Sequence, residues 1–389
     1  MPIIRVIARA IVATSLCSAL LFGCAPSGGG TGAVSTPSNV LDPRQVFALV
    51  PDKKSERDIR SAAASEGYRV LDKTNLAGLG LTMLSIEMTP GVSGKEAINR
   101  LESAVPASVV GVNHIYRPQQ QSGTTGTLDY AGEMMKWPQN GCRAQTPVGI
   151  IDTRIDTQAS ALGSAQIVTR QFFEGPATAA DHGTNVATVL AGTGRLTDVT
   201  LYGADVFGRE EGVGLAAGAD ALIKALDWMA GENVRFVNLA LAGPYNKLLD
   251  LAVDRAAKRG MILVAAVGND GPRADPLYPA GFESVIAVTA VDVNGGIYRK
   301  AVRGPHVDVA APGVDILLDT GSAMRLVSGT SIATPFVTAR LVGDQSLKNV
   351  RSVDGVREHL AATSTELGAP GRDSLFGYGL VIAEGICGN

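Results

Sequence analysis

Histidine is scarce in this chain: four among 389 residues, at His114, His182, His306 and His359. A reaction that needs an imidazole base near neutral pH therefore has few places to occur. Charged residues are sparse too, at 18%, and the net charge is only −3. No global positive field draws nucleic acid or anionic lipid to such a chain. Cysteine is confined to four positions, Cys17, Cys24, Cys142 and Cys387. Beyond the N-terminal segment no apolar run approaches the ~18 residues needed to cross a bilayer. What is plentiful is apolar side chain, 46%, and glycine, 46 residues. That balance describes a globular chain with a large core and many tight turns, not a disordered or fibrous one. The length allows one large domain and a smaller one.

The N-terminus reads as a targeting segment. Arg5 and Arg9 precede Ala10–Phe22, which is uncharged and mostly apolar. This suits the core of a signal peptide and is short for a spanning helix. The segment ends in LFGC and runs into APSGGGTG. Leu-x-Gly-Cys resembles a bacterial lipoprotein box, with Cys24 as the lipidated residue; the alternative is ordinary secretion with Cys24 incidental. Either way the mature chain is expected outside the cytoplasm, in the periplasm or at the cell surface. Any membrane contact would run through a lipid anchor at Cys24. Export favours disulfides, so Cys142 and Cys387 are expected to pair, with two free thiols as the alternative.

Next comes a small alternating unit. Gln45–Val50 reads as a strand, Glu56–Glu66 as a helix with Ser55 as its cap, and Tyr68–Leu71 and Leu81–Met88 as strands. Lys95–Ala104 reads as a second helix and Val109–Tyr116 as a closing strand. The order β-α-β-β-α-β predicts a small ferredoxin-like α+β domain. Pro118–Gly126 (PQQQSGTTG) is polar and breaker-rich, a linker open to proteolysis. From about Asp129 apolar strands alternate with helices. Candidate strands are Val148–Ile151, Ile167–Phe172, Thr200–Val206, Phe236–Ala240, Met261–Val267, Val285–Val291 and Val307–Ala310. Candidate helices are His182–Ala191, Ala219–Met229, Lys247–Arg259 and Ser331–Val342. Apolar strands without alternation, separated by helices, predict an α/β fold: a parallel sheet with helices on both faces.

Sites in open parallel sheets gather at the carboxyl ends of strands. PVGIIDT puts Asp152 at one such end and ILVAAVGND puts Asn269 just past another. DHGTNVATVLAG starts a helix at His182, and SGTSIATP starts one at Ser331. A serine hydroxyl is a weak nucleophile and needs a base. A histidine can serve, and needs an acid to hold its tautomer. An oxyanion needs donors, such as a side-chain amide and an N–H at a helix start. Asp152, His182, Asn269 and Ser331 supply one of each. Alone, each would read as a turn or cap residue. Asp156, Asp181, His114 and His306 read as structural, with Asp181 capping the helix that begins at His182.

In the order Asp, His, Asn, Ser the chain resembles the subtilisin-like serine proteases, whose triad order is a known one. LYGADVF, FVNLALAG, YPAGFESVIAVTAVD, VDVAAPGV and LFGYGLV extend the likeness over roughly residues 130–389. The resemblance implies a subtilisin-like sheet and a serine endopeptidase, with Asp152, His182 and Ser331 catalytic and Asn269 at the oxyanion. It implies that Leu239, Ala240, Leu241, Ala242 and Gly243 on one side, and Ala266 and Gly268 on the other, flank a peptide bound as an added strand. It also divides the chain into a signal peptide (1–23), a tether (24–44), an inhibitor-like propeptide (45–117), a processing region (118–128) and a peptidase domain (129–389). The propeptide would be both folding helper and plug, with Ser331 cutting the chain within 117–126.

Two departures stand out. Leu241-Ala242-Gly243, or Leu239-Ala240, stands where many relatives carry Ser-Leu-Gly, and Arg154 stands where glycine is common. No acidic loop reads as the calcium site that some relatives carry, so no cofactor or metal is expected. The expected partners are a peptide or protein substrate and the chain's own propeptide, not nucleic acid. The alternative function is a catalytically silent binding module on the same scaffold. A lipase-type hydrolase is disfavoured, because its Gly-x-Ser-x-Gly and its triad order are both missing around Ser331.

Overall fold

In the computed structural model, the elements follow from local sequence and are then sorted by which face they can bury. The structure describes residues 39–119, 121–122, 130–210, 213–319 and 324–387. The signal segment, Cys24, most of the tether and most of the processing region lie outside the described residues.

The small domain runs β1 (Gln45–Val50), α1 (Lys53–Ser65), β2 (Arg69–Leu76), β3 (Leu81–Glu87), α2 (Gly94–Ala104) and β4 (Val109–Gly111). Its sheet is antiparallel, in the order β2-β3-β1-β4. Helix α1 starts earlier than the sequence suggests. Asp52, not Ser55, caps it, accepting the Ser55 N–H at 2.7 Å, and a carboxylate at the positive end of a helix is well placed. Alternation sends Val46, Ala48 and Val50 into a core with Ile59, Ala97 and Leu101. The other face, with Phe47, Leu49 and Met83, joins the core of the large domain.

The expected closing strand Val109–Tyr116 is in fact two. β4 stops at Gly111, and β5 (Ile115–Pro118) and β6 (Gln121–Ser122) pair only with strands of the large domain. Asn113 and His114 make the break. Asn113 exchanges hydrogen bonds with Asp220 (2.8 and 3.1 Å), and His114 Nδ1 meets Asn246 Nδ2 at 3.0 Å. These partners pull the chain off the small sheet.

The large domain uses β7 (Val148–Asp152), β8 (Gln166–Gln171), α3 (Asp181–Ala191), β9 (Thr200–Asp205), β10 (Gly214–Gly218), α4 (Ala219–Gly231) and β11 (Phe236–Leu239). It continues with β12 (Leu241–Ala242), α5 (Lys247–Lys258), β13 (Ile262–Ala266), β14 (Val285–Val291), β15 (Val309–Pro312), β16 (Met324–Ser328), α6 (Thr330–Gly343) and α7 (Val353–Thr363). Seven parallel strands form the central sheet, in the order β15-β14-β13-β11-β7-β9-β8. Alternate residues serve opposite cores: Ile150, Val264 and Ile286 face α3 and α6, while Ile151, Leu263 and Ala265 face α4 and α5. All of α6 is buried. It needs no polar face, which is why its small and β-branched residues suit the position.

The small and large sheets belong to one compact unit. Across their boundary Asp227 Oδ1 accepts Leu79 N–H at 2.9 Å and Lys247 reaches Glu102 at 2.6 Å. Cys142 and Cys387 form a disulfide, tying the entry to the large domain to the chain's last described residue.

Candidate active site

The carboxyl ends of β7 and β13 and the amino ends of α3 and α6 meet at one rim of the sheet. Asp152 is the last residue of β7 and is fully buried. Its Oδ1 accepts the Thr153 N–H at 2.6 Å and lies 2.6 Å from His182 Nδ1. That contact leaves the second ring nitrogen, Nε2, pointing to Ser331 Oγ at 3.2 Å. Thr153 Oγ1 accepts the Gly183 N–H at 2.8 Å, locking the start of α3 to the end of β7. Gly183 permits that approach, because a Cβ there would stand 2.2 Å from the Thr153 carbonyl oxygen. Asp181 does not cap α3. The cap is Ala180, without a side-chain bond, and Asp181 faces Arg325 at 3.6 Å.

Ser331 is the second residue of α6. N–H groups in a first turn have no partner within the helix. The Ser331 N–H donates instead to the carbonyl oxygen of Gln119, at 3.3 Å, and Ser331 Oγ donates to the same oxygen. Asn269 follows β13. Its Oδ1 accepts both the N–H (3.2 Å) and the hydroxyl (3.0 Å) of Thr330. With the amide oxygen committed, Nδ2 is the end that remains as donor. Thr330 Oγ1 also accepts the Gly268 N–H at 3.2 Å. Gly268 has φ +100° and packs on Leu277, 2.5 Å from where a Cβ would be, so glycine is required there.

The segment 115–122 threads this rim. β5 lies antiparallel to β12, with Leu241 opposite Pro118 and Ala242 opposite Arg117. On its other side it pairs with β10, with Ala217 opposite Tyr116. β6 continues antiparallel to β16. Ala240 carbonyl accepts the Gln119 N–H at 3.3 Å. Gly243 abuts the Tyr116 ring.

Of the residues expected to flank a peptide, then, Ala240, Leu241, Ala242 and Gly243 touch the segment. Leu239 lies in the core beneath, and Ala266 pairs with Val288 inside the sheet. The other strand beside the segment is β10. Gly268 is linked to the segment by hydrogen bonds, its N–H donating to Thr330 Oγ1 and the following N–H, of Asn269, to Gln119 Oε1. β10 carries no strand signal in the sequence, because GLAAG has neither alternation nor β-branched residues.

Two further groups matter. Gln119, which the sequence assigns to a linker, is buried, and its Oε1 accepts the Asn269 N–H at 2.8 Å. Asp205 is the register partner of Asp152 and is buried beside it. Burial raises the Asp205 pKa to about 6; the neighbouring Asp152 charge also raises it, while the Phe207 and Arg154 amides and the Arg154 charge oppose the rise. Arg154 itself is exposed. Asp156 lies in a turn, its N–H bonded to Thr184 Oγ1. His306 is remote from Ser331, beside Arg372.

Residues 144–379 match the model of the subtilase family (Peptidase_S8). The chain is 35% identical over 211 residues to a thermostable alkaline protease of Halalkalibacterium halodurans, covering 52% of this chain and 56% of that protein. It is 32% identical over 257 residues to subtilisin DY of Bacillus licheniformis, covering 62% of this chain and 90% of that protein. Among solved structures it resembles fervidolysin from Fervidobacterium pennivorans, described as a keratinolytic enzyme related to subtilisin. The TM-score is 0.70 at 19% identity, over 90% of this chain and 61% of fervidolysin. That last likeness concerns the fold. With the family model matched across the large domain, the chain belongs to the subtilase family.

Proposed function

We propose that this protein is an exported serine endopeptidase that first acts on itself. The observation that carries the reading is a peptide carbonyl, that of Gln119, held on both the hydroxyl and the N–H of Ser331 while His182 bridges Ser331 to Asp152.

The Ser331 Oγ proton turns from the Gln119 carbonyl oxygen to His182 Nε2, 3.2 Å away, as Oγ attacks the Gln119 carbonyl carbon. Asp152 holds Nδ1–H and balances the imidazolium that forms. The oxyanion is met by the Ser331 N–H and by Asn269 Nδ2. The imidazolium then gives its proton to the departing amine of residue 120, leaving an acyl-enzyme on Ser331. Water, deprotonated by His182, releases the acid and restores the serine.

The small domain, still seated by its side-chain bonds to Asp220, Asp227, Asn246 and Lys247, would remain as a plug with Gln119 as its new carboxyl end. Parallel sheets depend on long-range contacts and fold slowly, which gives such a domain a role as folding helper. Export is supported by the charged-then-apolar N-terminus and by the disulfide. Lipid attachment at Cys24 is proposed from the Leu-x-Gly-Cys pattern. After self-cleavage only noncovalent contact would hold the peptidase to that anchor.

The test compares intact masses of the purified wild type and Ser331→Ala. We expect the wild type to split after Gln119 and the variant to stay whole. Equal masses would refute self-cleavage. A lipid-sized mass increment on the N-terminal fragment, lost in Cys24→Ser, tests the anchor.

A further inference from the structure

The chain's own segment also carries information about what the cleft selects. Two of its side chains are taken up by specific groups. Gln119 is 8% exposed; its Oε1 accepts the backbone N–H of Asn269 at 2.8 Å, and its Nε2 donates to the Arg117 carbonyl at 3.3 Å. Both ends of a neutral amide are thus used. A leucine would leave the Asn269 N–H without its acceptor. A glutamate would keep that acceptor, but it would face the Arg117 carbonyl with a charge and no N–H, in a site closed to water. Three residues upstream, Tyr116 is fully buried; its hydroxyl donates to the Pro244 carbonyl at 3.0 Å and its ring lies against Gly243. A Cβ at position 243 would stand 2.5 Å from that ring, so the absent side chain is what makes the room. Arg117, between them, points outward and is exposed. It carries no comparable demand.

We propose that the processed enzyme selects peptides with glutamine immediately before the cut and tyrosine three residues further upstream, in the form Tyr-x-x-Gln. The groups that set this preference are the Asn269 backbone N–H, the Pro244 carbonyl and the side-chain-free face of Gly243. The inference rests on Ser331 being the nucleophile, and it adds a substrate class to that reading.

The experiment uses the self-processed wild-type protein, freed of its noncovalently held small domain, and four fluorogenic peptides ending before the reporter in Tyr-Arg-Pro-Gln, Tyr-Arg-Pro-Leu, Tyr-Arg-Pro-Glu and Ala-Arg-Pro-Gln. The full chains carrying Gln119→Leu and Gln119→Glu are followed for self-cleavage alongside. Relative to Tyr-Arg-Pro-Gln, kcat/KM should fall about tenfold or more for leucine, by more for glutamate, and about tenfold to a hundredfold for alanine in place of tyrosine. Self-cleavage of the two chain variants should slow in the same order. Cleavage of the leucine peptide as fast as the glutamine peptide would overturn the selection while leaving the peptidase reading intact. No cleavage of any peptide, together with no self-cleavage in the wild type, would remove both.

Discussion

Thr330→Val isolates the support of the oxyanion site from the nucleophile next to it. The Thr330 hydroxyl is buried and has two bonds: it donates to Asn269 Oδ1 at 3.0 Å and accepts the Gly268 N–H at 3.2 Å. Valine keeps the shape and removes both. The Gly268 N–H then lacks a partner, which costs about 1–3 kcal/mol of stability for a buried group. Asn269 keeps one anchor of two, the Thr330 N–H at 3.2 Å, so the Nδ2 proposed to meet the oxyanion would be held less firmly. Losing an oxyanion donor outright costs ~100-fold or more in kcat; halving its support should cost about tenfold. The β5-type pairing of substrate with β10 and β12 is untouched, so KM should stay within about twofold. Steady-state kinetics on one peptide, with urea melts in parallel, measure both effects. Thr330→Ser, which keeps the hydroxyl, should restore most of the kcat. An unchanged kcat in Thr330→Val, or a loss confined to KM, would refute the role given to Thr330 and weaken the one given to Asn269.

Other expectations follow from separate features. The Cys142–Cys387 bridge closes a loop of 245 residues, so the chain-entropy model gives an upper value of about 5 kcal/mol. The double Cys→Ser variant should lose roughly 2–5 kcal/mol in urea titration, and an unchanged midpoint would contradict a stabilising bridge. His114 sits where its charge matters. Asn246 Oδ1 is committed to the Leu248 and Leu249 N–H groups (2.9 and 3.1 Å), so Asn246 Nδ2 must donate to His114 Nδ1, which has to be the unprotonated nitrogen. Burial lowers the His114 pKa from 6.5. The neutral form is favoured when the domains are joined, so the stabilisation is present above pH ~6.5 and is lost as pH falls through the lowered value. In the uncleaved Ser331→Ala chain, stability should therefore fall on acidification by more than in the same chain carrying His114→Gln. Parallel pH profiles would refute this.

Much of the architecture was legible because each level of the chain points the same way. β13 is an unbroken apolar run and β14 is interrupted only by the buried Thr289, which fits strands covered on both faces, and the stretch after β13 carries a short polar motif. Asp152, His182, Asn269 and Ser331 could be picked out as one set because each sits at a strand end or a helix start, where chemistry can be exposed without disrupting the core. What stayed hidden depends on tertiary pairing. Pro118 and Gln119 look like linker, since PQQQ has no apolar pattern, and it is β12 and the Ala240 carbonyl that give that stretch its extended form. The break after Gly111 was invisible because Asn113 and His114 are drawn away by Asp220 and Asn246, more than a hundred residues downstream. Helix α7 has a signal in the sequence, since Ser352 caps it by accepting the Gly355 N–H.

The account rests most heavily on Ser331 being a nucleophile made reactive by His182. The most direct measurement treats the self-processed wild type, freed of its small domain, with a fluorophosphonate and maps the adduct by peptide mass; the variants are first cleaved after Gln119 by added wild type and freed of the small domain in the same way. The result expected is a single adduct on Ser331, absent in Ser331→Ala and reduced at least a hundredfold in rate in His182→Ala. An unlabelled Ser331, or labelling that proceeds equally well without the imidazole, would contradict it.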